Sequence, residues 1–236
     1  MKFELSEIEN IIIKNERLLS HRIGWRFINS SIETVLDNSG IAIITLNPGG
    51  NIYEQPVFAL NNRKNAYLDE NWGDFPKGQD PIQIQIKALF KEINKRWSYN
   101  SDYKELIRDS FMAHLIPYRS NSYDDLSNKK ETIFLSKYIW SSFINSKFFD
   151  FKIIICIGKI QFEILEEILT NETNFEKLDS KLISTGWGNY KSEIITFSNI
   201  TKKFKLVYLQ HLSRFKIFNR KEGEDSVKKL IDYISD

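Results

Sequence analysis

The 236 residues contain one cysteine, Cys156, so no internal disulfide can form. Its place in the apolar run 153–158 (IIICIG) reads as a buried core thiol rather than a nucleophile. Histidine is scarce too, with three residues, and no Cys-X-X-Cys pair or His/Cys cluster is present. That argues against zinc and against an iron–sulfur cluster, and neither a metal nor a cofactor is expected. Neither sign of charge dominates: 33 basic against 31 acidic side chains leave +2, so no global field announces a nucleic-acid partner. The ten glycines and five prolines form no linker, so a single domain over 1–236 is expected. No apolar stretch reaches the length of a membrane span, and the opening MKFELSEIEN carries acidic residues without a long apolar segment. Neither a signal peptide nor a membrane partner is expected, and the location expected is cytoplasmic. A Gly-X-Ser-X-Gly elbow and a phosphate-binding Gly-Lys-Ser loop are also missing, which lowers the case for an α/β hydrolase or a nucleotide-processing enzyme.

What is present is enough apolar side chain, 42%, for one sizeable core. Four short runs rich in β-branched or aromatic residues each end in a breaker, as buried strands do: 41–46, 111–116, 151–157 and 204–210. Helix-like segments lie between and after them at 81–97, 129–146, 160–169 and 223–235, and the segment 1–38 reads as helical. A further strand near 193–198 is a candidate to flank the sheet. The expected fold is α/β, with a central, mostly parallel four-stranded sheet and helices on both faces. In such sheets ligands bind beyond the carboxyl ends of the strands, where this chain carries Asn47, His114, Gly158 and His211.

The loop Asn47-Pro48-Gly49-Gly50 leaves the first strand. Proline forces the preceding residues to be extended, and the glycines allow a tight turn and close approach to backbone amides. A turn alone would need no more. His211 sits in Gln210-His211-Leu212-Ser213-Arg214; a neutral imidazole there can donate to developing negative charge, or can simply be a satisfied ring beside a capping serine. Basic residues Lys202, Lys203, Lys205, Arg214, Lys216, Arg220 and Lys221 surround it in sequence, as a phosphate-binding surface or a solvated face.

Taken in order, these segments resemble the uracil-DNA glycosylase superfamily, especially its single-strand-selective monofunctional and mismatch-specific branches. Thr45-Leu46-Asn47-Pro48-Gly49 resembles the family's Gly-X-Asn-Pro-Gly strand end, and Pro56-Val57-Phe58 resembles its Val-Pro-Phe-like segment. Phe111 to Pro117 resembles a middle strand of the form Phe-Val-X-Asn-X-X-Pro, and 153–162 the strand, glycine and helix that follow. His211-Leu212-Ser213-Arg214 resembles the closing His-Pro-Ser-Pro-Arg. The likeness spans about residues 40 to 235.

The resemblance implies a monofunctional DNA glycosylase with DNA, single- or double-stranded, as partner and a monomeric state. Asn47 would orient the attacking water and His211 would hydrogen-bond the leaving base. Phe58, with Tyr53 as second candidate, would stack on the flipped base, and His114 stands where an asparagine reads the pyrimidine edge. Ser213, Arg214 and Phe215 would hold the DNA backbone or fill the vacated stack. Histidine at 114 departs from the family and points away from plain uracil, toward a modified pyrimidine such as a hypermodified cytosine of phage DNA. Uracil or mismatch repair, and a non-catalytic DNA-binding member of the fold, are the alternatives. Trp72 and Asp74, in the long loop 61–80, are candidates to bind a substituent on the base. The turn Gly186-Trp187-Gly188-Asn189-Tyr190 either contacts DNA or closes a hairpin.

Overall fold

The computed structural model describes residues 4–61, 64–98 and 102–235. Helix α1 (Leu5–Leu18) opens with a Glu4/Glu7 capping box and buries Ile8 and Ile12. It ends before Ser20, whose φ of 57° breaks the helix. Next comes an extended segment, β1 (Gly24–Arg26), followed by β2 (Ile41–Thr45) and β3 (Val57–Ala59). The segment 1–38 is therefore helical only in its first half, apart from one 3-10 turn at Ile32–Val35, and residues 1–3 lie outside the described set. The reason is Gly24. Its φ is 88°, and a Cβ there would come within 2.0 Å of the Val57 carbonyl oxygen. Only glycine permits that approach, and it lets β1 and β3 pair in parallel as a small separate sheet.

The remaining strands are β4 (Phe111–His114), β5 (Ile153–Ile157), β6 (Glu176–Ser184), β7 (Lys191–Ser198) and β8 (Lys203–Leu209). The main sheet runs β4-β2-β5-β8-β7-β6. Its first four members are parallel and coincide with the four apolar runs. The α/β class is as expected, but the sheet is six-stranded and mixed rather than four-stranded and parallel. The difference is the hairpin β6–β7, which adds two antiparallel strands beyond β8. β7 contains the candidate strand 193–198. β6 gave no sequence signal because all its side chains except Ile183 are exposed, so the apolar alternation of a half-buried strand is missing. The turn 186–190 closes this hairpin.

The helices are α2 (Ala66–Asp69), α3 (Pro81–Trp97), α4 (Tyr103–Arg108), α5 (Lys129–Ile144), α6 (Lys159–Asn171) and α7 (Glu224–Ser235). α3 starts where its sequence requires: Asp80 caps it, Pro81 occupies its first turn and Gln83 completes a capping box. Alternate residues of β2 feed two cores. Ala42 and Ile44 join a layer with α1, α5 and α6, while Ile41 and Ile43 join one with α3, α4 and α7. From β2 the chain passes to β4 on one side and then to β5 on the other. The strand order therefore reverses between β2 and β5, and it is beyond the carboxyl ends at such a reversal that sheets of this kind bind ligands. No helix among the described residues is long and apolar enough to cross a membrane.

Candidate functional site

Asn47 stands two residues beyond β2, half-buried. Its amide nitrogen donates to the Pro48 carbonyl at 3.1 Å and to Ser120 Oγ at 2.8 Å. A carbonyl can only accept, so the NH2 end must face this way. Ser120 in turn donates to the Ser122 carbonyl at 2.7 Å. The Asn47 carbonyl oxygen has no hydrogen bond among the described residues, which leaves a fixed, free acceptor. Arg119 staples the same loop: it donates to Gly49 O at 2.9 Å and pairs with Glu54 at 2.7 Å. Gly50 lies against the Arg119 guanidinium, 2.8 Å from where a Cβ would stand, so a larger residue there would displace that side chain.

His114 ends β4 beside Thr45, its register partner on β2. The ring is buried, and both nitrogens are occupied. Asn29 donates to Nε2 at 2.7 Å, so Nδ1 carries the proton and donates to Thr45 Oγ1 at 2.8 Å. Burial, with Arg26 nearby adding to it, lowers the His114 pKa to about 3, so the ring is neutral. The Tyr67 phenol, pushed up to about 12 by burial, hydrogen-bonds Thr45 and Asn29. A ring expected to read a base edge thus has no spare nitrogen here; it ties the ends of β2 and β4 to Asn29 and, through Thr45, to Tyr67. Asn29 was not singled out from the sequence, because its contacts with His114 and Tyr67 arise only through the tertiary fold.

The loop 61–80, of which residues 62 and 63 lie outside the described set, packs over this network. Gln83 at the start of α3 holds it by donating to Ala66 O at 2.9 Å and Glu70 O at 3.0 Å. Glu70 takes two hydrogen bonds from Arg26, at 2.9 and 3.0 Å, and one from the Trp72 indole at 2.9 Å. Trp72 also meets Tyr67 edge-on, with centroids 5.1 Å apart. The polar tip of Trp72 is therefore committed, whereas Asp74 is exposed.

His211 follows β8 and is solvent-exposed. Nδ1 lies 2.7 Å from Ser213 Oγ, and Nε2 has no hydrogen bond among the described residues. Desolvation by the surrounding loop lowers its pKa, Arg214 lowers it further, and Asp80 opposes both. The amides of Arg214 and Phe215 turn back onto the His211 carbonyl. Leu212 is fully buried and anchors the loop from below. Farther on, Phe218 and Gln85 of α3 exchange two hydrogen bonds, 2.9 and 3.1 Å, and lash the loop to α3.

β2 and β8 flank β5, so the strand ends that carry Asn47 and His211 are two strand spacings apart, about 10 Å. Asp80 acts electrostatically on both Tyr67 and His211, so α3 and its preceding loop bridge the interval. Phe58 and Tyr53 are 57% and 89% exposed, open for stacking. Phe215 is not: it packs on Tyr190 at 4.7 Å and Trp187 at 6.4 Å, while Arg220 lies 4.1 Å over Trp187. The basic run divides in space. Lys202, Lys203 and Lys205 lie at the start of β8, the end remote from His211, leaving Arg214 and Lys216 beside it. Two cavities stand out, and neither is lined by Asn47 or His211. One of about 690 Å³ abuts the Asn47 loop through Gly50, Tyr53, Arg119 and Ser120; one of about 470 Å³ lies between α3 and α7. No protein-family model matches the chain, and no curated protein matches it.

Proposed function

We propose that the chain is a monofunctional DNA glycosylase that hydrolyses the N-glycosidic bond of an extruded, modified pyrimidine and leaves an abasic site. One observation carries this reading. Two parallel strands of one sheet edge end in complementary groups, a fixed Asn47 with a free carbonyl oxygen and a neutral His211 with a free ring nitrogen. The resemblance of the ordered motifs supplies the reaction class.

The bond between base and anomeric carbon breaks with its electron pair going to the base, and positive charge spreads over the sugar. His211 Nε2–H donates to the departing base. Ser213, donating to Nδ1, would hold the tautomer that makes this possible. Asn47 accepts a hydrogen bond from the water that attacks the anomeric carbon. An amide is a poor base, so departure of the leaving group leads, and the water's proton is lost to solvent or to the released base. Phe58 covers the flipped ring, and Arg214 holds the backbone. Base extrusion costs a few kcal/mol, least for an already unpaired base. The saturated His114 nitrogens favour a substrate other than plain uracil, and defence against phages with modified DNA is the setting we propose.

Purified protein should be incubated with DNA carrying uracil, thymine mismatches or hypermodified cytosines. Free base is then measured together with alkali-labile abasic sites, with Asn47→Ala as control. Release of a modified pyrimidine, lost in the control, is expected. Binding without release from any substrate would overturn the enzymatic reading.

A further inference from the structure

β6 is the outer strand of the main sheet, hydrogen-bonded to β7 on one side only. It is nine residues long and exposed along its length except at Ile183. Two of its side chains are large and apolar, Leu178 at 55% and Leu182 at 61% exposure. Natural edge strands are normally guarded, because their unpaired backbone groups invite another strand. Here the guards are partial. Lys177 and Lys181 charge the edge, and a register irregularity between Lys177 and Asp179 interrupts it. These devices exclude indiscriminate pairing, yet one register escapes them.

In that register the strand lies antiparallel to a second copy of itself, with Ser180 opposite Ser180 on the two-fold axis. The sequence 178–182, Leu-Asp-Ser-Lys-Leu, is then self-complementary. Asp179 meets Lys181 of the other copy, and Leu178, at the irregularity, comes beside its Leu182, each contact occurring twice by symmetry. Asp179 and Lys181 share one face of the strand by the two-residue period. Lys181 rests over the Tyr233 ring, 4.9 Å from its centroid, with its strand position exposed. Shifting the register by one or two residues loses the leucine match and the charge match together. We infer that β6 is a homodimer interface, at which two copies join their six-stranded sheets into one continuous sheet. This replaces the expected monomer, and it does not depend on the enzymatic reading.

Charge swaps at the axis test it. Asp179→Lys alone sets lysine against lysine, and Lys181→Asp alone sets acid against acid. The double variant Asp179→Lys/Lys181→Asp restores opposite charges. In sedimentation measurements across a concentration series, each single variant should weaken dimerisation about tenfold and the double should recover it. Ser180→Cys supplies a second readout, because Cys156 is fully buried and leaves the new thiol as the accessible one. Directly opposed antiparallel residues have Cα atoms about 4.5–5.5 Å apart, within disulfide reach. Mild oxidation should link Ser180→Cys chains into covalent dimers, whereas Glu176→Cys, which faces Ser184, should not link. A wild-type chain monomeric at every concentration, or a dimer indifferent to the swaps and unlinked through position 180, would overturn the inference.

Discussion

The side-chain amide of Asn47 is held by the hydroxyl of Ser120, 2.8 Å away and 73 residues later in the chain. Through that bond the first parallel strand's exit loop is aligned by the segment after β4. Removing it should leave Asn47 present but free to rotate. Ser120→Ala is therefore expected to lower kcat about tenfold, the worth of one modest hydrogen bond, with KM and melting temperature little changed. Single-turnover base release on the preferred substrate checks this.

In the proposed reaction His211 offers one preorganised donor to a developing anion. Its replacement by alanine should cost about 3–4 kcal/mol, or roughly a hundred- to a thousandfold in rate. Desolvation and then Arg214 lower its pKa from the ordinary histidine value, so any change of rate on acidification should fall at lower pH than the titration of a free imidazole. Ser213→Ala should shift that profile as well as reduce the rate, which a purely structural serine would not do.

The two buried histidines set a pH window for stability. His114 and His21 have folded pKa values lowered to about 3 and about 4, both by burial. Above the unfolded value, near 6.5, both states are neutral and the rings contribute no slope. As pH falls below it, the unfolded chain binds protons that the folded chain refuses, so stability declines until pH reaches the folded values. Urea titrations between pH 7 and 4 should show this decline. His114→Asn should flatten it relative to wild type, even though the substitution itself lowers stability at pH 7.

Gly24→Ala should be among the most damaging single changes. Its Cβ would be driven into the Val57 carbonyl at 2.0 Å, on a backbone with φ of 88°. Loss of several kcal/mol is expected from strain together with disruption of the β1–β3 pair. Thermal unfolding measures the loss, and proteolysis of the 47–58 loop should quicken with it.

Phe58 and Asp74 make the opposite prediction. Both are exposed, so alanine at either should change stability by no more than about 0.5 kcal/mol. Phe58→Ala should weaken binding of the flipped base by about 1–3 kcal/mol, the worth of one stacking ring. Asp74→Ala should reduce cleavage only of bases bearing a polar substituent. Equal activity on every substrate would remove Asp74 from the site.

The parallel strands and the helices α3, α5, α6 and α7 were legible in the sequence because each carries a local cause, whereas the six-residue α4 was not expected. Ile41 to Ile44 and Ile153 to Ile157 are buried on both faces, so they are apolar throughout, and Asp80-Pro81 with Gln83 writes a helix start. β1 and β3 were not legible, since three residues each pair across more than thirty positions for the sake of one glycine contact. β6 was hidden for the reverse reason: an outer strand has nothing to bury. The strand-end positions of Asn47 and His211 were legible because each follows a short apolar run. The partners of Asn29, Tyr67 and Glu70 were not, because they are fixed by the packing of a loop whose own sequence is irregular.

α3 bears Asp80 at its head and, through Gln85, the two hydrogen bonds that fasten Phe218. The helix that tunes the charge on His211 is thus also the anchor of the loop that carries it. A displacement of α3 would be geared to both at once: the imidazole would travel and its proton affinity would change in the same stroke. Substitutions on the hidden face of α3 should therefore alter pH response and positioning together, as a single coupled trait.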